Sequence, residues 1–340
     1  MPTIQFRRDT ASNWTSNDPT LLMGELGIET DTYKIKMGDG TTAWSSLGYL
    51  DINDPPYVGP IGGSNSGFIA GGQTPSAPSG VNVIQTWPFS SDTNTSDHGD
   101  LHEAVVGSAT VSDVNNSNLY TCTAGTAVSK YSSTSNTTAS SGDVTLTASH
   151  PDGCAVMDRS KGYIMGAPSS DVIDRFPFAA EGTASDVGNL VSTSAGRLGT
   201  TMSPDTAYAA GAYPGGSNVI QKFTFASEGN AADSGDLVAS IYGHVGSFGP
   251  THGFFAGSYP TTNVIQSFPF ASGGNTTDVA DMNLAAGMSA GSTSYSHGYI
   301  GGGYPTDQLQ KYPTAAGTAG AGSKVGDLLS TTWRTSGGFS

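Results

Sequence analysis

The sequence predicts an all-β protein with a small N-terminal β-hairpin module and a larger six-bladed β-propeller over residues 67–340. Three observations support this fold class. A motif recurs six times after residue 66, each copy contains four short strand candidates, and glycine supplies 47 of the 340 residues. Repetition at a period of about 20–50 residues indicates a repeat architecture, and four short strands per repeat are typical of a propeller blade.

The composition argues against two classes of partner. Lys and Arg number 13 against 28 Asp and Glu, which gives a formal net charge of −15. Nucleic-acid binding and docking on anionic lipid both need basic surfaces, so we expect neither. Disorder is the competing interpretation of so polar a chain, but 36% hydrophobic residues arranged in regular stripes favour a folded core.

No segment resembles a signal peptide or a membrane span, because the N-terminus lacks an apolar core and no run of 18 apolar residues exists. We therefore expect a soluble protein that is made in a cytoplasm and is not inserted in a membrane. Cys122 and Cys154 lack metal-ligand spacing and are interpreted as small core residues, so no cofactor or metal is expected. Four N-glycosylation-type sequences are interpreted as turn chemistry: Asn13, Asn94, Asn136 and Asn275.

The first 50 residues predict a separate module. Ile4–Arg8 alternates apolar and polar residues, as a half-buried strand does, and Ala11–Trp14 is expected to form a helical turn. Two further strands, Gly24–Thr30 and Tyr33–Gly38, are joined by a tight turn and predict a β-hairpin onto which Trp44 packs. About 50 residues without a disulfide bury too little surface to be comfortably stable alone, which favours an oligomer.

Three stretches of this module carry a family resemblance: Ile4–Arg8, Gly24–Asp31 and Lys36–Leu47. In order and spacing they resemble the short N-terminal module of phage tail fibres and of receptor-binding proteins of the major tropism determinant type. The resemblance implies attachment to other virion proteins and a homotrimer; a monomeric β-cap on the larger domain is the alternative. The candidate residues for attachment or oligomerisation are Phe6, Trp14, Leu26, Ile28, Ile35 and Trp44.

Residues 51–66 are rich in Pro and Gly and predict a linker. The repeats that follow begin near Gly67, Asn118, Gly162, Ala207, Gly253 and Gly298. Each unit contains four short strand candidates. In the clearest units the first strand is aromatic, the second reads Val-Ile-Gln-x-aromatic, the third is short, and the fourth is rich in Gly and Ser; the earlier copies are looser. The strand–Gly-Gly–strand layout resembles a kelch blade, so the propeller is described as kelch-like.

Three details of the propeller follow from this assignment. Gly71–Gly72 and Gly301–Gly303 are expected on the innermost strand, where large side chains would clash. Side chains such as Ile220, Phe223 and Phe225 are expected between neighbouring blades. Closure is expected between the first and sixth blades without an exchanged strand, and a linear β-solenoid remains the alternative fold.

Recurring polar residues raise possible chemistry, which we weigh against simpler roles. Asp pairs three residues apart would suit Ca²⁺ or acid–base catalysis, but an Asp before Gly is also what a turn requires. The pairs are Asp97/Asp100, Asp233/Asp236 and Asp278/Asp281. His252 and His297 share one repeat position, and His98 and His102 fall in a predicted loop, so hydrogen-bonding roles are favoured for the histidines. No phosphate-binding loop or nucleophile elbow has the required strand–helix context.

Tyr-Pro pairs in the loop after the first strand would fall on one end of a propeller. Tyr213, Tyr259 and Tyr304 there are candidates for stacking on sugars or anchoring a partner protein, with packing onto their own blade as the alternative. Specificity is expected where the units differ, in residues 73–81, 112–118 and 214–217.

Together these features predict a non-enzymatic phage virion protein located on the tail or capsid exterior. The preferred interpretation is a tail fibre or receptor-binding protein that binds a host-surface glycan or protein. A head fibre or capsid decoration protein is the alternative within that class, and a propeller-based polysaccharide depolymerase is the alternative from another class.

Overall fold

The chain divides into two compact units, Met1–Val58 and Gly59–Ser340. A computed structural model describes residues 6–50, 65–123, 125–192, 195–314 and 319–340. Residues 51–64 of the predicted linker, as well as Ile4 and Gln5, therefore lie outside the described residues. No helix in the described ranges has the length and apolar character needed to cross a membrane.

The smaller unit is a four-stranded sheet with two short helical segments. Its elements are β1 (Arg7–Asp9), α1 (Ala11–Asn17), β2 (Leu26–Glu29), β3 (Ile35–Met37), the 3-10 turn η1 (Trp44–Ser46) and β4 (Tyr49–Leu50). Strand β1 is parallel to β2, whereas β2–β3 and β3–β4 are antiparallel, so the predicted hairpin is confirmed. Helix α1 confirms the predicted turn and is capped by Thr10, whose Oγ1 accepts a 3.3 Å hydrogen bond from Asn13 N.

Two tryptophans form the centre of this small unit. The Trp14 and Trp44 rings stack with centroids 4.1 Å apart, and Trp14 Nε1 donates to Ile28 O at 2.9 Å. A Cβ at Gly27 would lie 2.5 Å from the Trp44 ring, so the missing side chain makes room for the indole. Trp44 packs back onto the hairpin as predicted.

In its described residues the larger unit contains six sheets. Sheet 1 is β29 (Ser336–Phe339), β5 (Ser66–Ala70), β6 (Val81–Pro88) and β7 (Ser96–Val105); sheet 2 is β8 (Ala109–Asp113), β9 (Asn118–Cys122), β10 (Ala127–Ser132), β11 (Ser140–Thr145) and β15 (Gly182–Thr183). Sheet 3 is β12 (Cys154–Met157), β13 (Lys161–Ala167), β14 (Ser170–Pro177) and β16 (Ser185–Asn189); sheet 4 is β17 (Gly199–Met202), β18 (Thr206–Ala210), β19 (Ser217–Thr224) and β20 (Ala232–Ile241). Sheet 5 is β21 (Val245–Phe248), β22 (His252–Ala256), β23 (Thr262–Pro269) and β24 (Thr277–Ala286); sheet 6 is β25 (Ala290–Thr293), β26 (His297–Gly301), β27 (Gln308–Pro313) and β28 (Ser323–Asp327).

The predicted fourth strand of each unit belongs to the following sheet. The stretch Val245–Phe248 pairs with β22, which comes after it, and not with β20. Gly243, at φ +64°, turns the chain away from sheet 4, and the tight turn closed by Gly249 N to His252 O (2.9 Å) sets the new pairing. The predicted third strand was also too short, because β20 spans Ala232–Ile241.

The same shift changes how the two chain ends meet. Strand β29 pairs antiparallel with β5, matching Ser336 with Ala70 and Phe339 with Gly67. The expectation of closure without an exchanged strand is therefore wrong, because the last strand of the chain completes the first sheet.

The first strands of the six sheets contact one another in cyclic order: β29, β8, β12, β17, β21, β25 and again β29. Their backbones approach closely, since a Cβ at Gly246 would lie 1.8 Å from Thr200 O and one at Gly337 would lie 1.9 Å from Gly291 O. The prediction that Gly71–Gly72 occupies the innermost strand is wrong. Gly71 and Gly72 have φ of +64° and +96° and come directly after β5, which is the second strand of sheet 1.

Aromatic side chains fill the space between neighbouring sheets. Tyr208 of sheet 4 packs on Phe268 and Phe270 of sheet 5, with ring centroids 4.9 and 5.5 Å apart. Tyr163 contacts Phe223 and Phe225 in the same way, which confirms the predicted burial of these side chains between units. The pattern includes the pair of sheets at the chain ends, where Tyr299 of sheet 6 packs on Trp87 and Phe89 of sheet 1.

A buried glutamine joins each of four sheets to its predecessor. Gln266 Oε1 accepts hydrogen bonds from Val238 N of sheet 4 (2.9 Å) and from Thr276 Oγ1 (2.6 Å). The equivalent residues accept an amide hydrogen in the same manner: Gln85 from Leu329, Gln221 from Val191 and Gln310 from Leu284. The Gln of the Val-Ile-Gln strand is thus a connector between sheets, a role that the sequence pattern alone did not reveal.

Candidate binding face at the central ring

Six residues form a closed ring of backbone hydrogen bonds next to the first strands. Each has a left-handed φ between +54° and +71° and precedes a first strand. We call this set the central ring: Gly107, Asp152, Arg197, Gly243, Met288 and Arg334. Each amide donates to the preceding carbonyl in the cycle, at 2.6 to 2.9 Å, and Gly107 N closes the cycle onto Arg334 O.

Three charged side chains of the central ring form one cluster. The Asp152 carboxylate is 7% exposed and accepts from Arg197 Nη2 (3.1 Å) and from Arg334 Nη2 (2.7 Å) and Nε (3.1 Å). A Cβ at Gly107 would lie 2.1 Å from Asp152 Oδ1, so the ring needs glycine there to admit the carboxylate. Two guanidiniums against one carboxylate leave this cluster positive in a chain whose net charge is −15.

The three predicted tyrosines lie at the end of the sheets that carries the central ring. Tyr213, Tyr259 and Tyr304 form β-bridges with Gly196, Tyr242 and Gly287, the residues just before ring positions. Tyr259 and Tyr304 are 38% and 53% exposed. The peptide bonds to the prolines that follow all three tyrosines are cis.

Two further aromatic residues, Tyr242 and Trp333, extend this group. The Tyr242 ring lies between Tyr213 (5.0 Å) and Tyr259 (5.3 Å), and Tyr304 lies 6.2 Å from Trp333. The Arg197 guanidinium lies 4.0 Å from the Tyr213 ring centroid. The sequence alone did not point to Tyr242, Trp333 or the ring arginines. These residues lie just before the Gly/Ser-rich strands, and an alignment of the units on their aromatic strands does not compare those segments.

The predicted variable loops do not all lie at one end of the larger unit. Residues 73–81 and 214–217 follow second strands at the central-ring end, and Gln73 Oε1 accepts a long 3.4 Å bond from Arg334 Nη1. Residues 112–118 connect β8 to β9 at the opposite end. Only the first two loops can contribute to a site at the central ring.

The Asp pairs shape the long outer strands. Asp97 Oδ1 accepts from Gly99 N at 2.9 Å, and Asp233 Oδ1 accepts from Gly235 N at 3.0 Å. Both glycines have positive φ, at +139° and +147°, and lie inside β7 and β20 where the pairing register shifts. The Asp–Gly contacts therefore form β-bulges within strands, and not the turns that were predicted. Among the described residues no group of three or more His, Cys, Asp or Glu is placed to hold a metal ion.

The histidines are dispersed; His98, His102, His252 and His297 bond to backbone or hydroxyl groups, whereas both ring nitrogens of the buried His244 lack a partner among the described residues. His98 and His102 lie on β7, so the prediction that they fall in a loop is wrong; His98 Nε2 lies 2.8 Å from Ser132 O. His252 and His297 open β22 and β26, and burial lowers the pKa of both imidazoles.

One buried pair has the residue types of a catalytic dyad. His150 Nε2 lies 3.0 Å from Asp174 Oδ2, and His150 Nδ1 lies 3.1 Å from Gly166 O, so both ring nitrogens have partners. Both side chains are fully buried. Cys122 and Cys154 are free and buried, as predicted, and burial raises the pKa of the Cys122 thiol to about 12. These groups are placed for packing, since a nucleophile needs access and a lowered pKa.

Among the described residues of the small unit, one apolar sheet face is only partly covered. Leu26 pairs with Met37 and Ile28 with Ile35 across β2 and β3, on the face opposite the tryptophans. These four residues define the apolar face. Of the other predicted module residues, Phe6 is 50% exposed, whereas Trp14 and Trp44 are core residues.

The opposite face of that sheet, which packs on the tryptophans, carries polar side chains. Lys36 Nζ donates to Trp44 O at 2.8 Å and lies 4.3 Å from the Tyr49 ring centroid, while Tyr49 Oη donates to Glu29 at 2.7 Å. The apolar side chains of β2 and β3 thus lie on the face turned away from the core of their own unit.

Comparison with known proteins found matches in the N-terminal part of the chain. Residues 4–42 match the family model of the major tropism determinant N-terminal domain. The resemblance predicted for the N-terminal module is therefore confirmed over these residues. The chain is also similar, over its N-terminal part, to two proteins named hyaluronoglucosaminidase. One, from Streptococcus pyogenes phage H4489A, is 49% identical over 47 residues, which are 14% of this chain and 13% of the relative. The other, from Streptococcus pyogenes phage H10403, is 45% identical over 51 residues, 15% of each chain.

Proposed function

We propose that this chain is a non-enzymatic structural protein of a phage virion, most simply a tail fibre or receptor-binding protein. The observation that carries the proposal is the match of residues 4–42 to the major tropism determinant N-terminal domain. In this proposal the small unit attaches the chain to other virion proteins, and the larger unit binds a glycan or protein on the host surface.

We further propose that the six sheets form a kelch-like six-bladed β-propeller. The cyclic contacts of the first strands, the closed central ring and the pairing of β29 with β5 support this arrangement. A linear solenoid would not place its last sheet against its first, whereas here Tyr299 of sheet 6 packs on Trp87 of sheet 1. A single rigid scaffold of this kind presents loops at two ends for binding.

The apolar face supports a homotrimer formed through the small unit. Burying its four side chains between copies would add the core that a unit of this size lacks. Replacing Ile28 with Glu in the full chain is expected to convert trimers to monomers, as measured by light scattering. Tyr33→Glu, at an 81% exposed site of the β2–β3 turn, is the matched control and is expected to leave the trimer intact. A monomeric unmodified protein would contradict the proposal.

Location on the particle decides between a tail fibre and a head fibre or capsid decoration protein. Gold-labelled antibody against the larger unit is expected to mark the tail tip of intact virions. Label distributed over the capsid would favour the head-fibre alternative, and no label on virions would refute a virion role.

The names of the two relatives raise a depolymerase as a second candidate. Their similarity covers only 14 to 15% of this chain, and the buried His150–Asp174 pair is the nearest approach to a catalytic dyad that we find in the described residues. Incubation with host-surface polysaccharide is expected to leave its chain length unchanged. Shortened chains would establish the enzyme instead.

A further inference from the structure

We propose that the central-ring end binds an acidic saccharide, with a carboxylate held by the ring arginines and sugar rings packed on the tyrosines. The proposal deepens the host-surface binding proposed above and rests on it. It starts from the observation that a cationic cluster and a group of partly exposed aromatic rings share one end of the larger unit.

The arginine cluster is suited to an incoming carboxylate. Arg197 and Arg334 both contact Asp152, so a second anion would face two guanidiniums and only one negative charge. Within the described part of the chain, Arg197 Nε is buried without a hydrogen-bond partner. A buried donor without an acceptor costs free energy, and a planar guanidinium matches carboxylate geometry in a bidentate manner.

The cavity at the central ring can take one end of such a ligand. It measures about 70 Å³, which is enough for a carboxyl group beside the ring arginines. In this proposal the sugar ring lies outside, where Tyr259 and Tyr304 expose 38% and 53% of their surface. Aromatic rings offer an apolar face to the sugar and a hydroxyl for hydrogen bonding.

The overall charge of the chain favours this end over the rest of the surface. With a net charge of −15, the molecule as a whole repels polyanions, and the attraction of a polyanion to a local cationic cluster is screened by salt. Binding of an acidic polymer is therefore expected to be confined to the central-ring end and to weaken as salt is raised.

The experiment measures binding of the full-length protein to immobilised polygalacturonate, alginate and hyaluronan, each beside its carboxyl-reduced form. At least one polymer is expected to bind tenfold or more tightly than its reduced form. Tyr304→Ala and Arg197→Gln are expected to weaken that binding at least tenfold. Tyr295→Ala is the matched control, because Tyr295 is 66% exposed in the β25–β26 turn at the opposite end of sheet 6.

Each outcome bears on the proposal. Equal binding of acidic and reduced polymers, or binding that Tyr304→Ala leaves unchanged, would overturn it. Failure of the unmodified protein to bind any of the three polymers would also overturn it. That result does not depend on whether Arg197→Gln folds. Adsorption of the unmodified protein to host cells separates the two levels: adsorption without polymer binding leaves the proposed function standing, and points to a protein or neutral receptor.

Discussion

Removing the last five residues tests how the larger unit closes. Strand β29 buries Phe339, which is 8% exposed and lies 6.0 Å from the Phe248 ring. Ser336 Oγ bonds to Ser108 Oγ (2.9 Å) and Thr110 Oγ1 (2.6 Å), and Gly338 O accepts from Ser292 Oγ at 2.8 Å. Burial of one Phe at about 3 kcal/mol and three hydrogen bonds at about 1 kcal/mol each give about 6 kcal/mol, before the pairing with β5 is counted.

That loss is comparable to the whole stability of a typical domain, about 5–15 kcal/mol. Deletion of residues 336–340 is therefore expected to leave the larger unit unfolded or close to it. With a urea dependence of about 3 kcal/mol per molar, a surviving fold would show its midpoint lowered by about 2 M. Trp87 fluorescence suits the measurement, since this buried indole packs on Tyr299 across the sheets that β29 helps to join.

Leu329→Ala provides the control for this deletion. Its side chain is 53% exposed near the same end of the chain, so its loss is expected to shift the midpoint little. An unchanged urea midpoint in the deletion variant would refute the reasoning, because it would mean that β29 contributes little to sheet 1.

Three further predictions concern single residues. Gln266→Leu leaves two buried donors, Val238 N and Thr276 Oγ1, without their acceptor and is expected to cost about 3 kcal/mol in urea unfolding, because each such group costs about 1–3 kcal/mol. His244 is buried and burial lowers its pKa to about 3, so the folded state excludes a proton that the unfolded state binds below its ordinary pKa of 6.5. Stability is therefore lost as the pH falls below 6.5, and His244→Leu is expected to remove about 2 kcal/mol of the difference in unfolding free energy between pH 7 and pH 5. Gly27→Val places side-chain atoms where the Trp44 ring lies and is expected to abolish folding of the small unit, which loss of near-ultraviolet dichroism from its tryptophans would report.

Each of these has a direct check. Gln308→Leu, at a partly exposed site, is the control for Gln266→Leu and should cost under about 1 kcal/mol; equal losses would contradict the connector role. Identical pH dependence in His244→Leu and the unmodified protein would show that His244 is not the titrating group. A folded small unit in Gly27→Val would mean that the indole has other space to occupy.

The sequence was most informative where the residue pattern itself sets the structure. The predicted repeat starts lie within one residue of the first residues of strands β5, β9, β13, β18, β22 and β26. They could be predicted because an aromatic strand beside glycine is recognisable from neighbouring residues alone. The assignment failed at the Gly/Ser-rich strand, whose partner depends on hydrogen bonds to a later segment. Pairing of β29 with β5 joins residues far apart in the chain, and local pattern cannot show it.

Departures from the repeat are largely explained by contacts between sheets. Asp174 replaces the connecting glutamine in sheet 3. Its carboxylate accepts hydrogen bonds from Thr147 N (2.9 Å) and Ala148 N (3.1 Å), in the loop after β11 of sheet 2. His150 Nε2 lies 3.0 Å from the same carboxylate. Ser129 replaces the glutamine in sheet 2, and because it is shorter, His102 of sheet 1 reaches in to bond its hydroxyl. Both histidines therefore compensate for a changed neighbour.

The central ring is the place where this explanation does not suffice. Its left-handed backbone favours glycine, yet only Gly107 and Gly243 are glycine, and a non-glycine residue there costs about 1 kcal/mol or more. The Asp152–Arg334 pairing offsets part of that cost. Arg197 adds a second ion pair to Asp152 and lies 4.0 Å from the Tyr213 ring centroid, contacts that a glycine could not make. The Arg197 side chain thus links neighbouring sheets, and it also lies beside the tyrosines at the end where we propose that a ligand binds.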